Sequence, residues 1–155
     1  AGQVAAAFTR LRPAQPADFE RNLQGLQDEL LQLDARLQLL AQRHPGVTLL
    51  ASHPVYQYLA RRYGMTVHPL TWEPDVYPDA SSWQALQTML ETPANNWMLW
   101  EDEPLQKTRE KLATLGVQVV VFTPAMNRSS QGDFMELMLA NVERLEAALD
   151  SGSGP

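Results

Sequence analysis

The sequence predicts an α/β fold: a four-stranded parallel sheet with helices on both faces, preceded by one long helix. Three observations carry this. Short apolar runs alternate four times with segments of helical periodicity. The connections between them are short, and right-handed crossovers then make the strands parallel. The clearest run, Val117-Gln118-Val119-Val120-Val121-Phe122, is rich in β-branched valine, as a strand covered on both faces demands.

In chain order, Val4 to Leu11 reads as the end of a helix that stops before Pro13, so residues 1–15 are expected to be a truncated helix and linker, with something preceding them. Residues 16–44 form the longest periodic segment. Phe19, Leu23, Leu26, Leu30, Leu33, Leu37 and Leu40 alternate steps of four and three, one helix face, until Pro45-Gly46 stops it. At about 1.5 Å per residue this helix is roughly 40 Å long, more than one side of a four-stranded domain needs. It reads as a strut between two lobes or as a dimerising coiled coil, and its seam is short for the latter.

Residues 47–150 form the α/β lobe. Its first strand, from Thr48, ends at Ser52-His53, and Pro54 is expected to open a helix that Gly64 ends. Thr66 to Trp72 is the second strand, followed by a polar loop over 73–79. Ser81 or Ser82 is expected to cap a helix carrying Trp83, Leu86 and Leu90, which Pro93 stops. A turn at 94–96 leads into Trp97-Met98-Leu99-Trp100, and Glu101-Asp102-Glu103 follow at once. Pro104 is expected to open the next helix and Gly116 to close it. The fourth strand ends at Thr123-Pro124, and a loop over 125–132 precedes a last helix with Phe134, Met138, Asn141, Leu145 and Leu149 on one side. Residues 151–155, Ser-Gly-Ser-Gly-Pro, have flexible-linker composition.

Composition bounds the function. At 155 residues, 45% hydrophobic and 19% charged, the chain is long enough for one real core. A net charge of -6 without a Lys/Arg cluster argues against nucleic acid as a partner, because phosphate attraction needs a basic surface. Zero cysteines exclude disulfides, thiolate metal sites and cysteine nucleophiles. No run is apolar enough to span a bilayer and no signal sequence begins at Ala1, so the chain is expected to be cytosolic or a mature or trimmed product.

If all four strands run parallel, their carboxyl ends share one edge, where open α/β sheets bind ligands. That edge carries His53, then Trp72 with Glu73, then Glu101-Asp102-Glu103, then Thr123. A helix N-terminus beside His53 would disfavour imidazolium and leave a lone pair for a metal, although position alone favours the plainer role of a capping histidine. The acidic trio fits metal ligation or acid–base work, and equally a solvated helix cap. His44 and His68 read as structural, and Tyr56, Tyr58, Tyr63, Trp83 and Trp97 as core. No glycine-rich phosphate loop and no glycine-flanked serine elbow is present, so an enzyme is not expected.

The order of features is more specific than any one of them. A leucine-striped helix, a strand ending in Ser-His, and Tyr56-Gln57-Tyr58-Leu59-Ala60-Arg61-Arg62-Tyr63-Gly64 after it resemble the zinc- and manganese-binding solute-binding proteins of bacterial ABC transporters. Ala80-Ser81-Ser82-Trp83, Glu103-Pro104, and Asp133 to Met138 with Asn141 match later segments of that family, so the resemblance spans Val4 to Leu149.

The resemblance implies two α/β lobes joined by a rigid helix, with the metal in the cleft between them. This chain would be that helix plus the C-terminal lobe, and two histidine ligands would lie in a missing N-terminal lobe. His53 matches the third ligand. The fourth is normally the aspartate of an Asp-Pro pair, where this sequence has Thr123-Pro124. A neutral hydroxyl is a poor ligand, so Glu101 or Glu103 substitutes, water fills the position, or metal binding has been lost. Zinc tolerates three protein ligands plus water; manganese, which favours oxygen donors, would suffer more, and the isolated lobe could hold neither. The implied partner is an ABC permease in the membrane, the implied state a monomer, and the implied location periplasmic or otherwise extracytoplasmic, with a lipid anchor as an option. The alternative is an interaction module that keeps the fold without the metal.

Overall fold

The computed structural model describes residues 1–91, 96–125 and 132–151. The expected turn at 94–96 and loop over 125–132 fall largely outside these residues, as does the tail beyond Ser151. The elements run α1 (Gly2–Leu11), α2 (Pro16–Arg43), β1 (Thr48–Ala51), α3 (Gln57–Tyr63), β2 (Thr66–Pro69), α4 (Ala80–Leu90), β3 (Trp97–Trp100), α5 (Gln106–Thr114), β4 (Gln118–Val121) and α6 (Phe134–Ser151). They group into two units, residues 1–36 and 37–155. None of the helices is long and apolar enough to cross a membrane among the described residues.

The first unit holds α1 and most of α2. The rings of Phe8 and Phe19 meet at 5.7 Å, tilted 33°. Of the leucine stripe here, Leu26 stays 40% exposed.

The second unit is the predicted sheet, parallel throughout, in the order β2-β1-β3-β4. Its strands alternate their side chains between two cores, as period-two geometry requires. Leu49, Ala51, Leu99, Val120 and Phe122 pack on one face with Leu40 of α2, Tyr56, and Leu145 and Leu149 of α6. Leu50, Met98 and Trp100 pack on the other with Trp72, Trp83 and Leu86 of α4, and Leu112 of α5. The sheet is therefore covered on both faces, and the middle strands β1 and β3 carry its most deeply buried side chains.

Two proline readings are corrected. Pro54 does not open α3: the chain makes a turn after β1, with the Val55 N–H donating to His53 O at 3.0 Å and the Gln57 side-chain amide donating to Pro54 O, and the helix begins only at Gln57. Pro104 likewise precedes a helix that begins at Gln106. In both places the missing N–H of proline suits a turn as well as it suits a first helical residue. Gly116 does end α5 as expected. At φ +75° it lets its own N–H reach Ala113 O and the Val117 N–H reach Leu112 O, each at 3.0 Å.

The cap of α4 is also corrected. Asp79 stands at the N-cap, and its carboxylate accepts from the Ser82 N–H and the Ser81 hydroxyl, both at 2.8 Å. Those bonds, the Ser82 N–H first, hold the Asp79 carboxyl below its ordinary pKa. A lowered folded-state pKa contributes stability above the unfolded value, and that stability disappears as pH falls through the folded one. We therefore expect Asp79→Ala to lower the melting temperature at pH 7 while Asp79→Asn largely keeps it, with the Ala deficit shrinking in acid; thermal melts from pH 7 to pH 2 check this.

Candidate functional site

The ladders extend beyond the strands proper, and this aligns the four chain exits. The Ser52 N–H donates to Leu99 O at 2.9 Å, the Trp72 N–H to Ser52 O at 2.8 Å, and the Phe122 N–H to Trp100 O at 2.8 Å. His53, Glu73, Glu101 and Thr123 each follow the last residue so engaged. The four predicted positions thus share the carboxyl rim, and His53 and Glu101 leave the adjacent middle strands where the connection direction reverses. Such a switch point opens a crevice in α/β sheets.

His53 is half-buried, with Nδ1 3.4 Å from the Trp72 carbonyl oxygen. A carbonyl only accepts, so an Nδ1 hydrogen makes this contact, and in the neutral ring Nε2 then keeps its lone pair. Nε2 has no hydrogen-bond partner among the described residues. The helix N-terminus invoked from the sequence is displaced to Gln57, so the main chain of the second strand exit, and not the helix, orients the ring.

Of the acidic trio, Glu103 is drawn away to Arg109, 2.5 Å from its guanidinium. Asp102 is turned back onto the Glu103 N–H at 2.8 Å. Glu101 is half-buried and has neither a hydrogen bond nor an ion pair among the described residues. Its charge reaches Tyr56, whose hydroxyl is pushed well above the usual phenol range by burial first and by Glu101 second. Glu101 is therefore within electrostatic reach of Tyr56, which lies three residues along the chain from His53.

Two tethers that the sequence did not reveal hold the rim together. The buried Tyr56 hydroxyl donates to Phe122 O at 2.8 Å, and its ring meets that of Phe122 edge-on at 6.0 Å. This binds the turn after His53 to the end of β4. The buried Asn141 side chain clamps Thr123 by both main-chain groups, donating to Thr123 O at 2.8 Å and accepting from Thr123 N–H at 3.1 Å. Arg144 supports it, donating to Asn141 Oδ1 at 3.0 Å and Val121 O at 3.3 Å. The placing of Thr123 thus owes nothing to its own side chain.

Chemically, the rim offers one imidazole, His53, and two carboxylates, Glu73 and Glu101, whose side chains have no hydrogen bond or ion pair among the described residues. No group of three or more His, Asp or Glu side chains is arranged to hold a metal ion among the described residues. Fewer than three grouped donors leave a tetrahedral ion short of ligands, so ligands from outside these residues would have to complete it.

The tethers are testable. Tyr56→Phe is expected to lower unfolding stability by about 1–2 kcal/mol, because Phe122 O stays buried without its donor, and Asn141→Leu by about 2–4 kcal/mol, because two main-chain groups lose partners; urea unfolding at neutral pH measures both.

Comparison with known proteins agrees with this architecture. A family model described as ZnuA, zinc-uptake complex component A, periplasmic, matches residues 1–148. No curated protein sequence matches the chain. Among solved structures, the Zn(II)-bound ZnuA-like domain of AdcA from Streptococcus pneumoniae superposes with a TM-score of 0.81 at 19% identity, over 95% of this chain and 58% of that one. The metal-dependent lipoprotein YcdH of Bacillus subtilis gives 0.83 at 21%, over 93% and 57%. The laminin-binding protein Lmb of Streptococcus agalactiae, a bifunctional protein with adhesin and metal transporting activity, gives 0.76 at 20%, over 94% and 57%. The chain spans less than three-fifths of each of these structures.

Proposed function

The chain belongs to the zinc-uptake complex component A family, and on that premise we propose that it is the linking helix and C-terminal α/β lobe of an extracytoplasmic solute-binding protein that captures a divalent metal, zinc first, for an ABC importer. In this reading His53 is the metal ligand of this lobe, and a preceding lobe supplies the remaining imidazoles. The observation that carries it is the His53 ring, held through Nδ1 by the Trp72 carbonyl with Nε2 open at the sheet rim. An outer-shell main-chain acceptor that fixes the tautomer is the usual support of a metal-bound histidine. Glu101, half-buried and with neither a hydrogen bond nor an ion pair among the described residues, takes the role of the aspartate that Thr123 replaces in this reading; Glu103 would first have to leave Arg109. The activity is capture, not catalysis: zinc is the cargo, and the loaded face docks on a membrane permease.

A second reading keeps the fold as an interaction module without metal. Thr123 favours it, because a hydroxyl replaces an anionic donor at a position whose main chain is otherwise fully fixed.

Calorimetric zinc titration of the protein extended to the two-lobe length of its relatives separates the readings. We expect one tight site, weakened by His53→Ala beyond the roughly 10- to 100-fold that loss of an outer-shell partner costs. Glu101→Gln is expected to weaken it less, and Thr123→Asp to tighten it by adding an anionic oxygen. Wild-type protein without a stoichiometric site would establish the module, and tight binding indifferent to His53→Ala would remove that residue from the site.

A further inference from the structure

The two edges of the sheet are built differently. On β2, the Thr66 and Leu70 N–H groups bond inward to Val47 O and Ala51 O, so Val67 and Pro69 present their main chain outward. Proline there removes an outward donor without cost to the ladder, and exposed Thr66 and His68 flank that edge. On β4, the Gln118 and Phe122 N–H groups bond inward to Asn96 O and Trp100 O, which turns the main chain of Val119 and Val121 outward. Neither is proline, and no strand lies beyond them among the described residues.

A groove of about 420 Å³ runs along this open edge. Val119 and Val121 form its floor, Arg109 of α5 stands on one side, and Arg144, Ala148 and Ser151 of α6 stand on the other. Arg144 already covers one outward group, Val121 O. The Val119 N–H, Val119 O and Val121 N–H remain, spaced as an added strand would need them. The charges differ as well. Arg109 is neutralised by Glu103, whereas Arg144 bonds only the neutral oxygens of Val121 and Asn141 and has no carboxylate partner among the described residues.

We propose that the β4 edge groove binds an extended peptide strand carrying a carboxylate, which adds to the sheet beside Val119–Val121 and pairs its acid with Arg144. Main-chain bonds supply the affinity, the apolar floor accepts alternate small β-branched side chains, and the guanidinium selects the acidic residue. The groove lies along the side of the sheet, so this does not depend on metal capture at the rim.

The probe is an acetylated, amidated heptapeptide of alternating valine and serine with one central glutamate, titrated into the 155-residue chain, against the same peptide with lysine in that place. We expect saturable binding of the glutamate peptide, about tenfold or more tighter than the lysine peptide, as loss of a charge-assisted bond predicts. Val119→Pro, which deletes the outward donor and spares the β3–β4 ladder, and Arg144→Gln, which removes the charge but keeps an amide donor for Val121 O and Asn141 Oδ1, are each expected to weaken binding at least as much, with circular dichroism confirming that each folds. Equal binding of the two peptides, binding unaffected in either folded variant, or no saturable binding overturns the proposal. Light scattering that shows a dimer made monomeric by Val119→Pro overturns it too, in favour of a second copy on this edge.

Discussion

The parallel ladder between β1 and its two neighbours is the constraint on which everything else rests. Because Ser52 still donates to Leu99 O and accepts from the Trp72 N–H, three chains travel side by side one step beyond the strands proper and part at the same level. The rim is therefore a property of main-chain registry. Side chains such as Tyr56 and Asn141 then lock exits that the registry has already aligned. A one-residue slip would carry His53 to the opposite face of the sheet and dissolve the site without altering its composition.

Much of this was legible in the sequence, and the reasons differ from element to element. The strands could be read because burial on both faces leaves short, mostly apolar runs, as at Trp97 to Trp100 and at Val119 to Phe122. Parallel topology followed from strand and helix alternation, and with it the convergence of His53, Glu101 and Thr123. The starts of α3 and α5 were misplaced because proline serves a turn and a first helical position alike. Asp79 was passed over in favour of two serines that it in fact captures, although an aspartate three residues before Ser82 was a visible cap signal. The partner of His53 was illegible in principle: a carbonyl oxygen carries no residue identity, and only the fold decides that it belongs to Trp72.

The acidic turn after β3 shows how composition conceals division of labour. Three consecutive carboxylates look interchangeable, yet one is committed to Arg109, one to the adjacent peptide, and Glu101 is the one whose charge is felt at Tyr56. Thr123 makes the complementary point. Asn141 holds its peptide from both sides, so the chemistry displayed at that position can change while the main-chain path stays put. Membership of a metal-uptake family is thus compatible with a neutral hydroxyl at this position within a single intact scaffold.

Pro69 has a consequence for how molecules of this kind can assemble. A sheet that offers hydrogen-bonding edges on both sides can grow without limit, each newcomer exposing a fresh template for the next. Here Pro69 takes one outward donor from the β2 side and leaves Val67 to offer both of its main-chain groups, so that side is a poorer template for a newcomer than the β4 side.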